Sequence, residues 1–389
     1  MRKFFLGLLA GASVGYVATR AVQALALQRK HLEPISKDPA AYGRTRRALA
    51  LTGTLRSTLS TLAFAYGPLA PRALRALEPL PRWLRPGAFF GGLALLSSVI
   101  ELPVTFVEDY AIERQYGLSD QPAEAFLADW AKGSAISAVL VTALALLGGV
   151  AVRRFRITWP IVAAIGMLPL FVLANLVVPI YILPLFNRFE PLRGSLEVRL
   201  RALASRFGVG NAEILRMDMS KQTKKANAFV AGIGSTHRIV LGDTLIDAFE
   251  PAEIEFVVAH ELGHYVTRDT WRMIALAETV TAGLLGLVAL GLHDDDSQDS
   301  LLLLRIAAWL GAGMFAVRPA VNAFSRSREW AADRFALATT GDAPSGAAAF
   351  RRLRDQNLAE EEPPAWYEFL FASHPSLGKR IEALDGATS

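Results

Sequence analysis

Seven stretches of the chain are apolar over the length of a membrane span: residues 4–27, 51–69, 87–107, 134–152, 157–185, 273–292 and 301–324. A hydrocarbon core about 30 Å thick requires roughly 17 to 25 mostly apolar residues per helix. The pattern therefore predicts a mainly α, polytopic membrane protein with about seven transmembrane helices. The runs are not clean, because Arg20, Arg56, Glu101, Glu278, Arg305 and Arg318 lie within them or at their ends. A charge facing lipid costs several kcal/mol, so these side chains should face protein or a water-filled interior. Arg20 and Arg305 are near enough to the ends to snorkel instead.

Between the fifth and sixth runs the pattern changes. Residues 187–272 form a polar segment in which Leu196, Leu200, Leu203 and Phe207 recur at spacings of three and four, the signature of an amphipathic helix. The runs "AEILRMDM", "ANAFVAGI" and "RIVLGDTL" read as strands of a small sheet. Pro251 then opens a helix that continues through "AEIEFVVAHELGHYVTRD". A second polar region, 325–389, begins with the charged helix "SREWAADRFALATT". The expected division is thus 1–186 for helices one to five, 187–272 for a soluble segment with a small sheet, 273–324 for helices six and seven, and 325–389 for a helical C-terminal part.

Composition supports this. With 52% hydrophobic residues in 389 and a mean hydropathy of +0.31, the chain is too apolar for an ordinary soluble protein. Its net charge of +5 is spread over loops and forms no basic, aromatic-interleaved face, which excludes nucleic acid and favours anionic membrane lipids as partners. The absence of cysteine removes thiolate ligands, so any metal site must use His, Asp or Glu. Met1-Arg-Lys before an apolar run has the look of a signal peptide, but the apolar character continues through "AVQALAL", favouring a retained helix. The loop at 28–47 is rich in Lys and Arg, whereas "HDDDSQDS" has neither; the first should be cytoplasmic and the second external. Arg72, Arg75, Arg82 and Arg85 fall in a loop this orientation places outside.

The candidate chemistry lies in "AHELGHY". Residues i and i+4 stand above one another on a helix, so His260 and His264 can direct two imidazoles at one Zn2+ ion. Glu261 is placed to take a proton from an attacking water and deliver it to a leaving amine. Catalytic zinc usually has three protein ligands and one open position, and Glu329 in "SREWAADRFA" is the choice for the third, with Glu278 or Asp333 next in line. Asp333, one turn further, could accept the free N–H of a zinc-bound histidine. As an ordinary charged helix, the same stretch would instead pair Glu329 and Asp333 with Arg326, Arg328 or Arg334.

These residues, together with "EDYAIERQYGLSDQ", "PLFNRFEPL", "ANAFVAGI", "RIVLGDTLI" and "SHPSLGKRIEAL", resemble the type I CAAX prenyl proteases, integral-membrane zinc metallopeptidases. The resemblance implies seven membrane helices enclosing a water-filled chamber, with a zincin-like site at its cytoplasmic end. It implies His260, His264 and Glu329 as metal ligands and Glu261 as general base and acid. It also places Asn227 on an edge strand that binds substrate, and brings His374 and Arg380 to the site; there His374 suits the donor to a developing oxyanion, and the planar fork of Arg380 suits substrate backbone or a carboxylate. Read as residues alone, His374 is a loop histidine before Pro375. The implied activity is zinc-dependent endopeptidase action on extended polypeptides, with or without a prenyl group. A general quality-control metalloprotease and a non-catalytic zinc-binding scaffold or channel are the alternatives.

Overall fold

A computed structural model describes residues 37–232, 237–292 and 299–387. The apolar run at 4–27 with its signal-peptide alternative, Arg20, the first part of the basic loop and most of "HDDDSQDS" lie outside these residues. The membrane part contains α1 (Pro39–Tyr66), the short α2 (Leu69–Ala76), α3 (Arg85–Gln115), α4 (Ala123–Arg154) and α5 (Trp159–Leu185). Among the described residues five helices are long and apolar enough to cross a membrane: α3, α4, α5 and the later α8 (Asp269–Gly291) and α9 (Asp299–Thr340). α1, a continuous 28-residue helix, covers the run at 51–69 only as far as Tyr66, and it carries a stripe of Thr54, Ser57, Thr58 and Thr61.

That stripe has a structural reason. It forms one wall of a cavity of about 680 Å³ whose other wall is α9, and a second cavity of about 540 Å³ separates Ser97, Ser98 and Glu101 of α3 from Ser134 and Ser137 of α4. Of the charges inside the apolar runs, Glu101 lines the second cavity and Arg318 the first. Arg56 lies 2.9 Å from Glu101 and 3.7 Å from Glu108, while Arg305 stacks over Tyr66 and Arg318 over Phe371. Pro103 in α3 precedes a π-helical turn, Phe106–Ala111, and Pro179 opens another, Val178–Ile182, as expected where a missing N–H interrupts the helical ladder.

Beyond α5 the chain builds a four-stranded sheet from β1 (Phe189–Pro191), β2 (Glu213–Met217), β3 (Ala228–Ala231) and β4 (Arg238–Gly242), in the order β1-β2-β4-β3. β2 and β4 are parallel; the outer pairs are antiparallel. Three strands match the expected runs. β1 is additional, too short at three residues to show an alternation. The amphipathic helix is α6 (Ser195–Ser205), with Leu200 and Leu203 buried.

One apolar core joins the two polar regions. It combines Leu200 of α6, Ile239 and Leu241 of β4, Phe256 and Leu262 of α7 (Pro251–Val266), Phe350 of α10 (Ala343–Gln356), and Ile381 and Leu384 of α12 (Leu377–Gly386). Residues 187–272 and 325–387 therefore fold as one body, with α11 (Ala365–Phe371) carried between α10 and α12.

Candidate metal centre

α7 starts where its sequence directs. Pro251 occupies the first turn, and Glu250 and Glu253 cap reciprocally, the Glu250 N–H donating to Glu253 Oε2 at 2.9 Å. Ile254, Val258 and Leu262 are fully buried on its core side, which leaves His260 and His264 turned away from it and Glu261 at the flank. α9 crosses α7 at close range because both present small residues there. A Cβ on Gly263 would stand 3.1 Å from the Ala332 Cα, and Ala332 and Ala336 are fully buried. This approach brings Glu329 and Asp333 of α9 to the histidines.

The Nε2 atoms of His260 and His264 are 3.2 Å apart, and each is 3.4 Å from a different oxygen of Glu329. All three ligand atoms lie within 4.8 Å of one another. Glu329 Oε2 is buried without a hydrogen-bond partner among the described residues. Arg380 Nη1, at 3.9 Å, is too far to hydrogen-bond it, and a buried carboxylate oxygen is costly unless a cation meets it closely, so the residues present fit a metal ion.

Each imidazole is held from behind. His260 Nδ1 lies 2.8 Å from Asp333 Oδ1, and Arg380 grips Asp333 through two donors, Nε to Oδ2 at 2.8 Å and Nη2 to Oδ1 at 2.6 Å. His264 Nδ1 lies 3.0 Å from Asp269 Oδ2, and Arg328 Nε donates to Asp269 Oδ1 at 2.7 Å. A carboxylate at Nδ1 keeps the proton there and leaves Nε2 free to ligate. Without a metal, burial works against a charged His260, but the Asp333 and Glu329 carboxylates beside its two ring nitrogens outweigh that and hold its pKa up at about 9. His264 is likewise raised against burial, chiefly through Glu329. The pKa of Glu261 is raised by loss of solvent, with His260 and His264 pulling the other way.

Other expected residues meet the site less directly. His374, on the loop after α11, has its Nε2 3.3 Å from Glu329 Oε1 and an exposed ring at the rim. Asn227 is exposed immediately before edge strand β3, its carbonyl extending the ladder by accepting from Gly242 N at 2.9 Å. Arg380, expected as a substrate contact, is buried, stacked over Phe350, and directs its fork onto Asp333, facing the ligand cluster from behind. Glu278, on the membrane helix α8, is not part of the cluster.

Asp269 and Arg328 went unrecognised in the sequence. The signal was present, since Asp269 closes the "HYVTRD" stretch, but its use depends on Arg268, whose left-handed φ of 56° turns the chain between α7 and α8 and folds Asp269 back onto His264. The arginines around Glu329 do not pair with it as an ordinary charged helix would: Arg328 serves Asp269, and Arg326 donates to the Glu368 and Ala372 carbonyls, fixing the approach to His374.

Comparison with known proteins agrees with this geometry. A model described as the CAAX prenyl protease N-terminal region with five membrane helices matches residues 26–188, and α8 and α9 bring the total to about seven. The "Uncharacterized metalloprotease YhfN" of Bacillus subtilis is 28% identical over 320 residues, covering 77% of this chain and 73% of that protein. The CAAX prenyl protease 1 homolog of Oryza sativa subsp. japonica is 29% identical over 320 residues (78% and 73%), and CAAX prenyl protease 1 of Saccharomyces cerevisiae is 25% identical over 323 (76% and 71%). The fold is that of S. mikatae Ste24p, with a TM-score of 0.77 over 98% of both chains at 20% identity. A model of peptidase family M48 matches residues 192–388, the half of the chain that carries both arms of the His260, His264 and Glu329 cluster, and the protein belongs to that family of membrane metallopeptidases.

Proposed function

We propose that this metallopeptidase is a zinc endopeptidase that cuts extended polypeptides close to a prenylated, CAAX-type C-terminus, on the cytoplasmic side of the membrane. The cluster of His260, His264 and Glu329 carries the reading: two imidazole nitrogens and one carboxylate are the donor set that would hold a catalytic zinc. A zinc ion held there would lower the pKa of water and polarise a carbonyl. Glu261 takes the proton of the attacking water and returns it to the leaving amine nitrogen. His374, at the rim, donates toward the carbonyl oxygen as negative charge develops on it. Asn227 heads a strand whose free N–H and C=O edge can capture an extended chain. Asp333 and Asp269 hold the histidine protons at Nδ1, and Arg380 fixes Asp333.

The substrate class is supported by the relatives named CAAX prenyl protease 1. The orientation is supported by the basic start of α1. Arg47 pairs there with Glu360 of the peptidase body, and Lys225, just before β3, lies 2.7 Å from Glu113 and 2.8 Å from Tyr42 of α1. These contacts support a site on the Lys- and Arg-rich side, where anionic lipid headgroups would also be attracted. Arg72, Arg75, Arg82 and Arg85 at the other end weigh against it.

The test is cleavage of a farnesylated CAAX peptide and its unprenylated twin by purified protein, before and after chelation and with zinc restored. Cleavage of the farnesylated peptide should vanish with chelator and return with zinc. Equal cleavage of the twin would remove the prenyl requirement, and inactivity on both when zinc-loaded would remove the endopeptidase reading.

A further inference from the structure

The cavity between α1 and α9 contains an arginine with no evident reason to be there. Arg318 lies inside the apolar run of α9, where an unpaired charge is expensive. Arg56 meets Glu101 and Glu108, yet among the described residues no carboxylate lines this cavity or pairs with Arg318, which stacks on the ring of Phe371, 5.1 Å from its centroid. Stacking occupies the face of the guanidinium and leaves its N–H edge available. The opposite wall supplies the hydroxyls of Thr54, Ser57, Thr58 and Thr61, which can also donate to an anion.

The position of Arg318 on α9 relates it to the metal centre. It lies eleven residues before Glu329, which puts the two within about 20° of the same helix face. That interval rises about 16 Å, a span that a short extended segment and an arginine side chain can bridge together. Asn322, on the same stripe, donates to the Leu370 carbonyl at 3.0 Å, and α11 continues directly into His374. The cavity and the metal centre therefore share two elements, α9 and α11.

We propose that Arg318 anchors the free C-terminal carboxylate of the substrate, holding the chain end at a fixed interval from the metal centre. This rests on the endopeptidase reading above. A planar fork matches a carboxylate through two parallel hydrogen bonds, and an amide cannot replace it as acceptor of both.

The experiment compares two peptides of identical sequence, one ending in a free carboxylate and one in an amide, on the zinc-loaded parent protein, Arg318→Gln and Arg318→Lys. Cleavage is followed by mass spectrometry, and binding by fluorescence anisotropy. The parent should prefer the free acid by about 10- to 100-fold in kcat/KM and in affinity, the range of one charge-assisted pair. In Arg318→Gln the preference should collapse to near unity with the amide peptide cut at the parent rate; Arg318→Lys should keep part of it. A parent that treats acid and amide alike overturns the proposal. So does an Arg318→Gln protein that loses both substrates equally, since that is a structural role. If the parent cuts neither peptide, the endopeptidase reading fails, and the anisotropy still decides for or against the carboxylate anchor.

Discussion

Replacing Asp269 by asparagine tests the reasoning about the metal centre where the sequence was least informative. Asp269 accepts from two partners, His264 Nδ1 at 3.0 Å and Arg328 Nε at 2.7 Å, one on each oxygen. Asparagine keeps the shape but has a single acceptor oxygen. Turned toward Arg328, it places an NH2 against His264, which forces Nδ1 to accept and moves the ring proton to Nε2, the atom that must ligate. Turned toward His264, it leaves the largely buried Arg328 facing a donor. Loss of such an orienting partner typically costs about 10- to 100-fold in metal affinity, or about 1.4 to 2.7 kcal/mol. Removing a charge from the first turn of α8 costs about 0.3 to 1 kcal/mol of stability, a smaller effect on a different observable. The assay is zinc affinity by competition with a chromophoric chelator, alongside turnover at saturating zinc. Asp269→Asn should bind zinc more weakly by this factor and recover activity in part when zinc is in excess. Parental zinc affinity and parental turnover would refute the assignment of Asp269 as the residue that orients His264.

Glu261→Gln should abolish turnover while retaining zinc, because the amide cannot take the water proton and the three ligands remain; residual activity near the parent rate would eliminate the proton-transfer role. His374→Ala should reduce kcat on the order of 100-fold with zinc retained, the effect of removing one donor to the developing oxyanion, and an unchanged kcat would return His374 to the status of a loop residue. Zinc uptake should release protons and tighten as pH rises. The His260 pKa of about 9 means that in the metal-free protein a proton must leave this cluster before the metal binds. The sign for stability is opposite: the raised pKa stabilises the metal-free protein fully below the ordinary histidine value of about 6.5, and this contribution is lost as pH rises through about 9. Zinc affinity that stays flat over that window, measured with indicator dyes for the released protons, would contradict the coupling.

The elements with local signatures were legible in the sequence. Membrane helices follow from apolar length, α6 from Leu196, Leu200 and Leu203, and α7 from Pro251 and its apolar face, because helical periodicity is set within a few residues of chain. The ligand pair His260 and His264 belongs to the same class, being fixed by one turn of helix. Glu329 needed a chemical argument about ligand number, and His374 needed a likeness to known proteins, since each lies more than sixty residues from His264.

What the tertiary structure alone decided are the long-range pairings. Arg380 could have met substrate or stabilised Asp333, and only the packing of α12 against α9 and α10 turned its fork inward onto the carboxylate. Asp269 became a partner of His264 through one left-handed residue at the α7 to α8 turn, and Arg328 was drawn to it because a buried carboxylate demands a counter-charge. β1, three residues long, exists because β2 offers it an edge. The Ser and Thr stripe of α1 weakens its apolar signal, and only the facing of α1 and α9 across a cavity explains why those hydroxyls and Arg318 are placed there. Helical spacing is a property of the chain itself, whereas which charge meets which depends on where separate helices cross.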